Sequence, residues 1–305
     1  MAFACIDIGS NTIRLLVSEE ADGQLRELMT QRVYTRIGKS LHKHSKIPKD
    51  KIAESAEVVA TQARHAVESG AERIAIVATA AIREAPNRHE FVTAVEAAAE
   101  FPVRVLSGDE EARLSFVGAT KTLGTPVGGG GVAVVDVGGG STEIAIGTAG
   151  GVTWAETFRV GSGFLTESYL KSDPPSAKEL KKVRQHVEGV FEGLELPQTS
   201  DEPLERGVAV GGSATSLRKM VGAELNHDTL ERGIAILAGS EIAAVAQRFE
   251  LDPTRVRLLP AGMIALEAVS DALELSLTIG NGGLREGVIL EMVAERVGVR
   301  HGSAD

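Results

Sequence analysis

The chain has 305 residues, of which 43% are hydrophobic and only 4% aromatic, and it carries a net charge of −10. That length suits two domains of about 150 residues, and the acidic balance excludes a general nucleic-acid binder. A single cysteine excludes an internal disulfide, no Cys/His cluster has zinc spacing, and no apolar run or basic leader marks a membrane span or a secretory signal, so a cytoplasmic protein without membrane contact is expected.

In chain order, "FACIDIG" and "NTIRLLVSE" predict two strands around a turn that holds Asp7, Gly9, Ser10 and Asn11. Cys5, in the first strand, reads as a small buried hydrophobe. "ADGQ" is a turn leading into "LRELMTQRVYT". Residues 32–51 read as a basic loop, with Arg32, Arg36, Lys39, Lys43, Lys46, Lys49 and Lys51 against one acid, Asp50. This stretch is +6, which leaves −16 on the remaining 285 residues. Two readings stand for it: a solvated loop, or a guide for a polyanion.

Apolar spacing at Ile52, Ala56, Val59, Ala63 and Val67 predicts a helix over 49–69, with Gly70 as its cap. "RIAIVAT", "NRHEFVTAVEAAAEF", "VRVLS" and "GDEEARLSFVGATKTL" then alternate strand and helix, the signature of an α/β layer structure. "GTPVGGGG" (124–131) reads as a join between domains 1–123 and 124–305. Beyond it come "VAVVDVGGGSTEIAIGTAGG", "VTWAETFRVGSG", a helix over 176–193 and "RGVAVGGSATSLRKMVG". Two further helices and "SLTIGNGGLREGVILEMVAERV" close the chain. The closing helix is open to two placements, on the first domain or at an interface.

The two halves echo each other. "DIGSNTIRLLV" (7–17) and "DVGGGSTEIAI" (136–146) each run from Asp-x-Gly through small polar residues into a second β-rich run, and Arg14 and Glu143 both fall seven residues after the aspartate. Neither loop has the GK[ST] ending of a helix-forming phosphate loop, and both continue as strand rather than helix. What remains is a hairpin whose backbone amides cradle an anion. Gly9 and Gly138, Gly139 and Gly140 would let the backbone approach a phosphate, with Ser10, Asn11, Thr12, Ser141 and Thr142 as further donors. A lone aspartate in each loop suits a hard cation: Asp136 and Glu143 flank one hairpin, and Asp7 would orient water or the ion's shell. "ATAAIREAPN" places Arg83, Glu84 and Asn87 at a strand edge, where an arginine grips phosphate. Acids opening a helix at "GDEEARL" are ordinary dipole partners in the case of Asp109 and Glu110. "GGSATSL" (211–217) offers, through Gly211, Gly212 and Ser213, the floor of a phosphate or nucleotide pocket.

Together these segments resemble the Ppx/GppA phosphatase family. The match runs in order through "IDIGSNTIRLLV", "ATAAIREAPN", "LSGDEEARLSFVGA", "VVDVGGGSTEIAIG", "RVGSGFLTESYL", "VAVGGSATSL" and "LTIGNGGLREGVI". The resemblance implies two ribonuclease-H-like α/β domains of the actin, sugar-kinase and heat-shock-protein superfold, with mixed sheets flanked by helices and an interdomain cleft. It implies a catalytic base at Glu111, a cleft arginine at Arg83, acids for Mg²⁺ or Mn²⁺ at Asp136 and Glu143, and phosphate loops at Gly9–Asn11 and Gly138–Ser141. Arg14 is counted with the first loop. The implied reaction releases orthophosphate from inorganic polyphosphate, of shorter chains because the additional C-terminal helical domain of longer members is missing here. Hydrolysis of guanosine pentaphosphate, or weak activity in a regulator that binds either ligand, are the alternatives. A homodimer is implied as well.

Overall fold

The computed structural model describes residues 1–21, 24–123, 130–192, 194 and 203–301, with side chains as far as residue 296. The chain forms two compact units, one of Met1–Gly124 with Gly282–Asp305 and one of Thr125–Asn281. Of the join read at 124–131, residues 124–129 lie outside the described residues.

The first unit runs β1 (Ala2–Ile8), β2 (Thr12–Ala21), β3 (Gln24–Tyr34), α1 (Ile37–His44), α2 (Lys49–Glu68), β4 (Ala71–Ala78), α3 (Ala80–Glu84), α4 (Arg88–Ala99), β5 (Val103–Val105) and α5 (Gly108–Lys121). Its sheet has the order β3-β2-β1-β4-β5, with β1, β2 and β3 antiparallel and β4 and β5 parallel to β1. Alternate residues of β1 feed opposite cores. Ala4, Ile6 and Ile8 pack with Val59 of α2 and Phe91 of α4, while Phe3 and Cys5 pack with Leu114 of α5 and the closing helix. A strand buried on both faces is apolar throughout, which is why "FACI" shows no polar alternation. Cys5 is fully buried, and burial, followed by the nearby Asp7 charge, pushes its thiol well above the ordinary range.

The second unit runs β6 (Gly131–Val137), β7 (Thr142–Thr148), β8 (Gly151–Phe158), α6 (Ser162–Tyr169), α7 (Ala177–Phe191), β9 (Leu204–Val210), α8 (Gly211–Val221), β10 (Glu224–Leu225), α9 (His227–Ala238), α10 (Ile242–Phe249), α11 (Pro253–Val256), α12 (Leu259–Leu273) and β11 (Leu277–Ile279). Its sheet order, β10-β11-β9-β6-β7-β8, repeats the first with one short strand added at the edge. β6, β7 and β8 form the antiparallel trio, and β9 and β11 follow parallel to β6. The echo between the motifs is thus an echo between two mixed sheets flanked by helices.

Two expectations are corrected. The stretch read as a basic loop contains α1, because Ile37 and Leu41, spaced i,i+4, give it one apolar side against the core. Four helices, α9 to α12, stand where two were expected. The Asn226 capping box starts α9, and Asp252 followed by Pro253 starts α11, so local punctuation divides the stretch.

α13 (Leu284–His301) belongs to the first unit and packs along α5. Two glycines set that crossing. A Cβ on Gly287 would overlap the Leu114 carbonyl oxygen, and one on Gly118 would overlap that of Gly283. Gly287→Ala is therefore expected to destabilise the protein by about 1–3 kcal/mol through overpacking. Gly189→Ala on α7, where nothing lies within 4 Å of an added Cβ, should stabilise by about 0.4–1 kcal/mol. Denaturant unfolding of both variants checks the pair, and a neutral Gly287→Ala would contradict the close crossing.

Candidate active site

In the first unit the turn between β1 and β2 closes by a hydrogen bond from the Gly9 amide to the Thr12 carbonyl, 3.0 Å. The carbonyls at its tip are already engaged: Ser10 accepts from the Gly38 amide at 2.7 Å and Asn11 from the Arg36 amide at 3.0 Å. Oxygen atoms that would repel an anion are thereby held by backbone. The Asn11 side-chain nitrogen and Asp7 Oδ1 are buried with no hydrogen-bond partner among the described residues. Buried polar atoms of that kind are costly unless a ligand or water completes them.

Strand register puts Asp7 opposite Arg14. Arg14 Nη2 and Nε both donate to Asp7 Oδ2, at 2.6 and 3.1 Å. Arg14, expected with the phosphate loop, has its guanidinium on Asp7, and Asp7, expected toward the cation, has Oδ2 on that guanidinium and Oδ1 left over.

The Arg83–Glu111 pair is assembled by local rules. Thr79 precedes the single turn of α3, which carries Arg83. Ser107 opens α5 with a capping box: its hydroxyl accepts from the Glu110 amide, and the Glu110 carboxylate accepts from the Ser107 amide at 2.8 Å. Glu110 is thereby turned outward to Arg104, at 2.8 Å, whose guanidinium, with the Ser107 amide, holds it down to about 2. The next residue, Glu111, is turned inward and is 7% exposed. Arg83 Nη1 donates to Glu111 Oε2 at 2.8 Å and to the Leu106 carbonyl at 2.9 Å. Glu111 therefore sits beside a cation, and the acid preceding it is directed elsewhere.

The second unit repeats the hairpin. Gly138 donates to the Ser141 carbonyl at 3.0 Å, and Asp136 lies opposite Glu143 in the register that pairs Asp7 with Arg14. The tip rests on the start of α6: the Ser162 amide donates to the Gly138 carbonyl, and the Gly163 and Phe164 amides donate to the Gly139 carbonyl. Gly161 must be glycine there, since a Cβ would come within 2.5 Å of the Gly139 and Gly140 backbone. Gly211, at the β9–α8 junction, has φ +81, and a Cβ on it would overlap Asp136 Oδ1. A residue without a side chain is required twice over, by backbone conformation and by the carboxylate in that space. Of the expected phosphate donors, the Thr142 hydroxyl donates to the Val160 carbonyl, while the Ser213 hydroxyl is buried beside Gly262 with no hydrogen-bond partner among the described residues.

Asp136 and Glu143 form an all-oxygen donor pair, and among the described residues no group of three His, Cys, Asp or Glu could hold a metal ion. Two carboxylates with neither thiolate nor imidazole fit Mg²⁺ or Mn²⁺, which complete their shells with water and phosphate oxygens. Two arginines escaped the sequence reading. Arg255 of α11 is buried, with its guanidinium close to the space that a Gly212 Cβ would fill. Arg285 of α13 reaches the Leu15 carbonyl and Thr30, and burial, followed by the charge of Arg14, lowers its proton affinity. The Gly211-Gly212 pair, which demands a close neighbour, was the one signal for Arg255.

The Ppx/GppA phosphatase family profile matches residues 16–296. The chain belongs to this family. It is 30% identical over 318 residues to exopolyphosphatase 2 of Mycobacterium tuberculosis, covering 95% of this chain and 98% of that one. It is 28% identical over 304 residues to a guanosine-5'-triphosphate,3'-diphosphate pyrophosphatase of Vibrio vulnificus, covering 96% of this chain but 59% of the relative. The chain thus spans less than two thirds of that relative's length. The crystal structure of the Aquifex aeolicus Ppx/GppA family member superposes with a TM-score of 0.80 at 27% identity, covering 97% of this chain and 98% of that one. This fold is the actin-like one, consistent with the repeated ribonuclease-H-like sheet order. No helix among the described residues is long and apolar enough to cross a membrane.

The Asp7–Arg14 pair, with side chains 2% and 19% exposed, is open to a direct stability test. Asp7→Asn should cost about 2–4 kcal/mol, since it leaves a mostly buried cation without its counterion. In a double-mutant cycle with Arg14→Gln, the second substitution should restore part of that loss, with a coupling energy above about 1 kcal/mol. Additive losses would show that the two side chains do not act as a pair.

Proposed function

We propose that this protein hydrolyses the terminal phosphoanhydride of inorganic polyphosphate and releases orthophosphate. The observation that carries the reading is the Arg83–Glu111 pair, a carboxylate and a phosphate-binding cation held together at 2.8 Å beside a phosphate-type hairpin in the same unit. Polyphosphate is favoured over a nucleotide substrate because the relative matched along nearly its whole length is the one named an exopolyphosphatase.

In this reading Glu111 takes a proton from a water molecule as the water oxygen bonds to the terminal phosphorus. The bridging P–O bond breaks, orthophosphate leaves, and the shortened chain keeps the bridging oxygen. Arg83 orients Glu111 and neutralises charge on the phosphoryl oxygens, and the amides of the hairpin tips hold the phosphate in place. Asp136 and Glu143 would hold a divalent cation, whose contribution is to offset negative charge on the phosphoryl group. Asp7 acts as the anchor of Arg14.

Glu111→Gln is expected to lower kcat on polyphosphate by about 10²–10⁴, the range of a lost general base, and, because it also removes the partner of the mostly buried Arg83, the two enzymes are compared at a temperature where both are folded. Chelation should abolish phosphate release from the wild type, with recovery on added Mg²⁺. Near-normal turnover in Glu111→Gln would remove it from the base role. Gly211→Ala tests the acidic hairpin. It should lower turnover more than tenfold by displacing Asp136. Gly151→Ala, also at positive φ but facing open space, should cost about 1–2 kcal/mol of stability and leave turnover unchanged. Equal turnover in the two variants would argue that Asp136 has no part in the reaction.

A further inference from the structure

The basic stretch read from the sequence is neither absorbed by the chemistry above nor a loose loop. At its start, the Arg36 and Gly38 amides are bonded to the Asn11 and Ser10 carbonyls of the hairpin tip. A Cβ on Gly38 would lie 3.1 Å from the Ser10 Cβ, so this contact is close. Ile37, fully buried, and Leu41 seat α1 on the core. At its end, Asn87 clamps Ile47 through two hydrogen bonds, 3.0 Å from the Ile47 amide and 2.9 Å to its carbonyl. Asn87 stands a few residues after Arg83, so the segment is fixed between the phosphate hairpin and the strand edge that bears the cleft arginine.

Lys43 and Lys46 lie between those anchors and Lys49 two residues past Ile47; all three are exposed and have no acidic partner among the described residues, unlike Lys51, which pairs with Glu54 at 2.5 Å. Lys43 lies in the last turn of α1, Lys46 in the turn after it and Lys49 at the first residue of α2, so the three follow one another along the chain beyond the hairpin contact. An unpaired row of fixed cations suits a ligand of repeating negative charge that extends beyond its terminal phosphate.

We propose that α1, the turn after it and the start of α2, through Lys43, Lys46 and Lys49, bind the distal phosphates of a linear polyphosphate chain whose end occupies the β1–β2 hairpin. This rests on the polyphosphate reading above and adds a determinant of chain length to it. Short substrates end before the lysines, whereas long chains lie across them.

The test is the triple charge reversal Lys43→Glu, Lys46→Glu and Lys49→Glu, assayed on long-chain polyphosphate and on tripolyphosphate. KM for the long chain should rise about tenfold or more with kcat unchanged. The slope of log KM against log salt should flatten by about 2, at roughly 0.7–0.9 per phosphate neutralised. Tripolyphosphate kinetics should stay within about twofold, and the corresponding triple Lys→Arg variant should keep long-chain affinity. Unchanged long-chain KM and salt slope would overturn the proposal. Titration of long-chain polyphosphate into Glu111→Gln, with and without the reversal, separates this surface from the activity. If the wild type releases no phosphate but the reversal weakens binding, the hydrolase reading fails and the surface stands. If the reversal leaves binding intact, the surface fails whatever the activity.

Discussion

Each unit is organised around one short hydrogen bond, from the glycine amide after the Asp-x-Gly aspartate to the carbonyl three residues on: Gly9 to Thr12, and Gly138 to Ser141. That bond fixes the loop length, and loop length fixes strand register. In an antiparallel pair a slip of one residue would turn every side chain to the other face. In β1, buried on both faces, that slip would carry Ile6 and Ile8 into the core now filled by Phe3 and Cys5, and those two into theirs, so neither core would fit. The burial of those residues and the placement of the charged ones are a single constraint, because the register that buries Ile6 and Ile8 also sets Asp7 against Arg14.

Around this hairpin the charged side chains are placed by ordinary helix chemistry. The Ser107 capping box orients the first turn of α5, so two adjacent glutamates meet opposite fates. Glu110 turns out to Arg104 and Glu111 turns in to Arg83. The C-terminal helix then stabilises the same helix from its other side. Glu291 of α13 accepts from both Arg104 and Arg113, and glycines at 118 and 287 let the two backbones approach. Glu111 thus sits on an α5 held at its N-terminus by a cap, along its side by α13 and at its carboxylate by an arginine.

Sequence reasoning recovered what depends on local pattern. Strand–turn–strand hairpins and the α/β alternation are legible because spacing and residue type encode them; Glu111 was singled out by the family resemblance alone. Contacts between distant positions were not legible. Nothing in "LREG" shows that Arg285 would reach the Leu15 carbonyl, and nothing in "DPTR" shows Arg255 against Gly212. The Arg14–Asp7 pairing was not legible for a related reason: strand register, rather than local sequence, sets the two side chains opposite each other. Thr142 looks like a free donor in sequence, but its hydroxyl is taken by the Val160 carbonyl. The basic segment was misread as loop because its apolar side is only two residues wide.

The duplicated scaffold carries opposite electrostatics in its two copies. At the position opposite the aspartate, one hairpin has Arg14 and the other Glu143. The first pair is therefore formally neutral and internally bonded, and its loop is free to present amide donors to an anion without further compensation. The second pair is formally −2, with Glu143 only 2% exposed. Two carboxylates placed across one pair of strands repel each other unless a cation or a proton intervenes. A single exchange of charge at equivalent register positions thus divides the labour between the copies. One hairpin is neutralised within itself, and the other sets two carboxylates across one pair of strands.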